Sequence, residues 1–230
     1  MASLPSRDPF EPGRDCPLCP RLAEFRAQAR AKAPDWYNAP VDSFGDPNAQ
    51  LLIVGLAPGM QGANRTGRPF TGDYAGGLLY QTLSRFGLAE GAYDARPDDG
   101  LVLHRARITN AVRCVPPQNK PDSGEIAACR RFLAAEITSL PKLRAILALG
   151  SIAHQTVLRT LNLRPALFPF CHGRVHHLPN GMLLADSYHC SRLNTNTGKL
   201  TVAMFEAVFS AIARGLDEAQ SARCVSLIQG

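Results

Sequence analysis

No stretch of these 230 residues is long and apolar enough for a membrane span. The opening residues, Met1 to Asp8, lack the apolar centre of a signal peptide, so a cytoplasmic protein is expected. No internal repeat and no low-complexity tract is present, which excludes solenoids and compositionally disordered chains. Acidic residues are in short supply, 19 against 25 Lys and Arg, and the resulting formal charge of +6 suits a polyanionic partner such as nucleic acid. Seven cysteines occur without a compact run of four, which argues against a dedicated electron carrier. In a reducing compartment they point to metal, catalysis or burial rather than to a disulfide framework.

The length allows one sizeable α/β domain over residues 1–230, with 1–15 and 217–230 read as loose ends. Four short apolar runs read as buried strands: Leu51 to Val54, Arg107 to Val112, Arg144 to Gly150 and Met182 to Tyr188. Amphipathic helices are expected at Arg21 to Lys32, Tyr74 to Phe86, Ser151 to Leu161 and Leu200 to about Leu216. Another runs from Asp122 to about Leu140, opened by a capping box of Asp122 and Glu125. Residues 88–100 read as surface loop, and 162–182 as irregular with a hairpin tip at Asn180-Gly181. The alternation predicts a three-layer α/β/α sandwich around a central four-stranded parallel sheet. Ligands of such sheets sit at the carboxyl ends of the strands, and three of those ends are dense in polar residues: Gly55 to Asp73, Asn110 to Lys120 and His189 to Asn196.

The longest of these, Gly55 to Asp73, holds five glycines after Val54 and before a helix, so its backbone can approach an anionic or planar ligand closely. Asn64, Arg65, Arg68, Phe70, Thr71 and Asp73 fill it with more chemistry than a passive linker requires. Asp73 reads equally as a helix N-cap and as a catalytic carboxylate. Cys16 and Cys19 form a C-x2-C pair, and Cys114 and Cys129 lie far along the chain. Four such thiols suit either Zn²⁺ or an iron–sulfur cluster. Cys171, Cys190 and Cys224 have no partner spacing and read as plain thiols.

Gly55-Leu56-Ala57-Pro58-Gly59 with Asn64 to Asp73, then Asn110 to Cys114, then His189 to Asn194 with Thr197 to Thr201, together resemble the family 5 (type b) uracil-DNA glycosylases. The resemblance runs from about Cys16 to Phe209. It implies excision of uracil, and of other deaminated bases such as hypoxanthine, from double- and single-stranded DNA by a monomeric enzyme that flips the base into a pocket. It further implies a structural [4Fe-4S] cluster on Cys16, Cys19, Cys114 and Cys129.

By the same resemblance, Gly55, Ala57, Gly59 and Phe70 hold the base and Asn110 reads its Watson–Crick edge. His189 stabilises charge on the base oxygen, and Asp73 favours the cationic sugar or positions water. Asn64, Arg65, Ser191, Arg192 and Leu193 would meet DNA, Leu193 or Arg192 filling the gap of the flipped nucleotide. Arg68, Arg113, Lys120 and Lys199 are further candidates for phosphate contacts. The apolar doublet Leu56-Ala57 cannot activate water, which shifts that burden to Asp73, backbone groups and His189. It also keeps open a reading as a catalytically silent nucleic-acid-binding module with a structural zinc site. Cys190 stands where many relatives have proline.

Overall fold

The computed structural model describes the backbone of residues 11–228 and side chains as far as Asp217. Residues 1–10 of the expected loose lead-in, and the side chain of Cys224, lie outside what is described. In chain order the elements are α1 (Pro20–Lys32), β1 (Phe44–Gly45), β2 (Leu51–Gly55), α2 (Ala63–Thr66), α3 (Tyr74–Arg85), β3 (Ala89–Glu90), β4 (Val102–Leu103) and β5 (Ala106–Asn110). They continue with α4 (Ser123–Ser139), β6 (Ala145–Leu149), α5 (Ser151–Thr160), β7 (Val175–His177), β8 (Leu183–Ser187), α6 (Arg192–Asn196) and α7 (Val202–Ile228).

The main sheet has the order β1-β5-β2-β6-β8-β7. Its four inner strands are parallel, as the apolar runs predict, and β1 and β7 add antiparallel edges. The edges are only two and three residues long, too short to carry a periodic signal. β7 and β8 form the hairpin expected around Asn180-Gly181. β3 and β4 make a separate small ribbon, β3 inside the stretch expected as loop and β4 just after it.

Successive residues of each inner strand face opposite layers. Leu51 and Ile53 join a core completed by Leu79, Leu83, Phe205 and Phe209 of α3 and α7. Leu52 and Val54 join another, with Leu133 of α4 and Val157 of α5. The inner strands are buried on both faces, as continuous apolar runs require. Helix α7 runs on to Ile228, past the end expected near Leu216. Among the described residues no helix is long and apolar enough to cross a membrane.

Helix α4 opens with the expected capping box. Its buried stripe carries Glu125, Cys129, Leu133 and Glu136, so one helix face serves both the second core and a polar network. Leu22 of α1 packs with Val112, Cys114 and Cys129 in a third, smaller cluster. The irregular stretch before β7 is held by the buried His154: its Nε2 donates to the Phe168 carbonyl (2.7 Å) and its Nδ1 lies 2.6 Å from the Asp186 carboxylate on β8.

Candidate active site

A cavity of about 340 Å³ opens at the carboxyl ends of β2, β5 and β8. Ala57, Gly59, Phe70, Asp73, Asn110, His189, Ser191 and Arg192 line it, so eight of the expected site residues share one space. Leu56, Pro58, Tyr74 and Asn119 complete much of the wall.

Asn110 is the last residue of β5 and is 3% exposed. Its register partner on β2 is Gly55. A Cβ at Gly55 would collide with Asn110 Oδ1 and come within 2.7 Å of Phe70 Cζ. Gly55 therefore does not form the wall itself; it leaves the room in which the amide and the ring lie side by side. Among the described residues the Asn110 side chain has no hydrogen-bond partner, and it lines the cavity. Its donor and acceptor are thus free for a ligand in the cavity.

Phe70 has φ 53°, an unfavourable conformation for a bulky residue. Two tyrosines hold the turn: Tyr80 donates to the Pro69 carbonyl at 2.7 Å and Tyr93 to the Phe70 carbonyl at 3.1 Å. Strain maintained this way belongs to sites whose side chains must point in one direction. The Phe70 ring lies 5.7 Å from that of His189, nearly parallel at 27°. Burial pushes the His189 imidazole below its ordinary value of 6.5, so the ring is neutral at pH 7. The next residue, Cys190, is fully buried in the core beneath, and its thiol is pushed up to about 12 by desolvation. It anchors the His189 loop by packing, where proline would do so through its ring.

Asp73 satisfies both readings of its sequence position. Its Oδ1 accepts from the Ala75 N–H at 3.1 Å and caps α3. A Cβ at Gly62 would overlap its other oxygen, so the loop glycine admits the carboxylate. Desolvation raises its pKa above the ordinary 3.8, against the hydrogen bonds from Ala75 and Gly76.

The rim carries Ser191, which caps α6 by accepting from Asn194 N, and Arg192, whose guanidinium stacks over Tyr74 at 5.3 Å. Leu193 is 72% exposed, an apolar side chain with no place in any core. Arg65 and Lys199 are exposed near these loops, and Lys120 lies exposed beyond β5.

Three expectations are corrected. Asn64 is 1% exposed and donates to Asn38 Oδ1 at 2.8 Å, so it braces the loop from inside and cannot meet DNA. Arg68 is buried, bidentate to Asp99 (2.7 Å each) and surrounded by Phe44, Tyr80 and Tyr93, and it therefore holds no phosphate. Its partner Asp99 lies in the stretch read as featureless loop. Arg113 is 1% exposed and paired with Glu136 and with Glu11 (2.7 Å), which removes it from the DNA surface as well.

Tyr74 and Asn119 were not singled out by sequence reasoning. Asn119 follows Gln118 in a turn where both have positive φ, 57° and 55°. A proline-braced Pro-Gln-Asn at a strand end was its one signal, since asparagine tolerates that conformation.

Cys16, Cys19, Cys114 and Cys129 line one small cavity between α1, α4 and the loop after β5. Arg26 Nη1 lies 3.3 Å from Cys114 Sγ, and the Arg113 backbone N–H donates to Cys129 Sγ at 3.3 Å. Such donors suit thiolates bound to a metal centre. Among the described residues, His154, His176 and Asp186 form the set of three metal-capable side chains with ligand atoms within 4.8 Å of one another. Four such thiols are the donor set of a structural Zn²⁺ and of an iron–sulfur cluster alike.

The family model for the uracil DNA glycosylase superfamily matches residues 43–213. The type-5 uracil-DNA glycosylase of Thermus thermophilus is 46% identical over 205 residues, covering 86% of this chain and 93% of that protein. The type-5 enzymes of Mycobacterium leprae and Pyrobaculum aerophilum are 43% and 38% identical, each over 203 residues, covering 84% and 86% of this chain and 88% of either protein. With the cavity at the strand ends and matches of this extent, the chain belongs to the uracil DNA glycosylase superfamily, among its type-5 members.

Proposed function

We propose that this protein is a monofunctional DNA glycosylase that removes uracil, and further deaminated bases such as hypoxanthine, from DNA in base excision repair. The observation that carries the reading is the unpaired, nearly buried Asn110 amide in a cavity of about 340 Å³. An amide offers both a donor and an acceptor, as the edge of uracil or hypoxanthine requires. The bond to the sugar is out of reach inside the stack, so the base is flipped and rests on Phe70. Leu193, exposed at the rim, fills the space it leaves.

The glycosidic bond breaks with its electron pair passing to the base, leaving a cationic sugar. Neutral His189 donates a hydrogen bond to the base oxygen as charge develops there, a contribution of about 3 kcal/mol. Asp73 stabilises the sugar cation across the cavity and orients the water that adds to it. Leu56 and Ala57 supply no polar group. Arg65, Ser191 and Arg192 contact the DNA backbone at the rim.

Cys16, Cys19, Cys114 and Cys129 hold a [4Fe-4S] cluster. The cluster ties α1 to α4 and to the loop after β5, and so fixes the strand end that presents Asn110. Cys16→Ser should lose visible absorbance, iron and soluble yield; unchanged iron content removes Cys16 from the ligand set.

Incubation with duplexes bearing uracil, hypoxanthine or normal bases, followed by alkali, tests the activity. Strand cleavage only at the deaminated base is expected. Tight binding of every duplex with no abasic site formed, by a colourless protein containing zinc, would establish the silent module instead.

A further inference from the structure

Helix α3 carries a glycine that the protein itself does not explain. Gly77 is the fourth residue of the helix, and a Cβ built on it would meet nothing within 4 Å. Its neighbour Gly76 has a reason: a Cβ there would collide with the Phe70 carbonyl and Tyr93 Oη. A glycine inside a helix is less stable than alanine, so an open position should have lost it unless the space is used.

The space is a groove of about 650 Å³ between α3, Tyr93 and the start of α7. Gly77 lies on its lining with Leu78 and Gln81, and Tyr74, Tyr93 and Val202 complete most of the wall. Asp73 and Tyr74 line both this groove and the base cavity, so the two are adjacent subsites with a common wall. Tyr74 is 47% exposed although the Arg192 guanidinium lies 5.3 Å from its ring centre, and Val202 is 56% exposed. Tyr93 is fixed, stacked on Tyr80 at 4.6 Å and bonded to the Phe70 carbonyl.

The lining chooses between the parts of a nucleotide. Its single charged residue is Asp73, which repels phosphate, and no Lys or Arg lines it. Tyrosine faces, one amide and the hydroxyls of Thr195 and Thr201 suit a planar heterocycle.

We propose that this groove is a second nucleobase subsite, which takes the base next to the lesion on the same strand once that base unstacks. The proposal rests on the glycosylase reading above for the identity of the first base. Close approach of the second base to the helix backbone is the reason for glycine at 77.

The test uses full-length protein, wild type against Gly77→Ala and Gly77→Leu, with uracil duplexes whose 5′ or 3′ neighbour is either a normal base or an abasic analogue. Loss of the base on one side should lower wild-type kcat/KM about tenfold, within the range of one base–aromatic stack. Gly77→Leu, which fills the groove, should show the same tenfold loss on the intact duplex and no further loss with the abasic neighbour. Gly77→Ala should melt no lower than wild type. In a parallel binding assay, 2-aminopurine at the neighbour position should brighten on wild-type binding and stay quenched with Gly77→Leu. A Gly77→Leu protein that melts like wild type yet excises at the wild-type rate, or that loses a further tenfold with the abasic neighbour, overturns the subsite. So does a wild-type protein indifferent to both neighbours. Brightening without excision of any base would retain the subsite and defeat the glycosylase reading.

Discussion

Asn110 and Arg113 are three residues apart at the end of the same strand, both nearly buried, and they are treated in opposite ways. The Arg113 guanidinium is enclosed by Glu11, Glu136, Ser43 Oγ and the Val41 carbonyl, with only its Nε lacking a partner. Glu136 also accepts from Arg107 at 2.6 Å, so the charges close on one another. Asn110 faces the cavity with its amide unmatched. A buried charge closed in by counter-charges is architecture, whereas an amide turned to a cavity with no protein partner is held ready for something that arrives later.

Removing the partners of the first group should break the fold and spare the chemistry. Glu136→Ala leaves Arg113 and Arg107 buried without their shared carboxylate and should lose about 3–5 kcal/mol of stability in urea unfolding. Its excision rate per folded molecule should stay near wild type. Asn110→Leu should do the reverse. Excision of uracil should fall at least about tenfold, while the unfolding free energy stays level or rises by up to about 1 kcal/mol as an unpaired amide is replaced by carbon. A large loss of stability there would mean that Asn110 belongs with Arg113 after all.

The smallest expected effect concerns pH. Desolvation raises Asp73, so on acidification it takes up its proton at a higher pH than an ordinary aspartate at 3.8, and excision should fall by about tenfold per unit below that point. His189 is shifted the other way, below 6.5, and changes no charge above that pH. The rate should therefore show a limb on the acid side and none from these two groups on the alkaline side. Asp73→Asn should show a low rate without the Asp73 limb; an unchanged limb would assign it to another group.

The sequence showed much of this and missed the parts that depend on distance. The four inner strands announced themselves because burial on both faces demands continuous apolar runs, as at Leu51 to Val54. The edges β1 and β7 did not, since two or three residues hold no period. The cavity residues Asp73, Asn110 and His189 were legible from their positions after strands, while Tyr74 and Asn119 join it through the folding of loops. Arg68 and Arg113 looked like DNA contacts because a cation in a polar loop is indistinguishable from one whose acid lies elsewhere in the chain. Their partners Asp99, Glu11 and Glu136 lie 31, 102 and 23 positions away.

By itself the sequence determined the α/β alternation and the strand ends that carry the site. Those follow from local periodicity and from residue types whose chemistry is short in range. Only the tertiary structure decided which polar groups are spent on the protein and which are left for the substrate. Pairing is a matter of which groups long loops bring within about 3 Å of one another, and spacing along the chain does not record it.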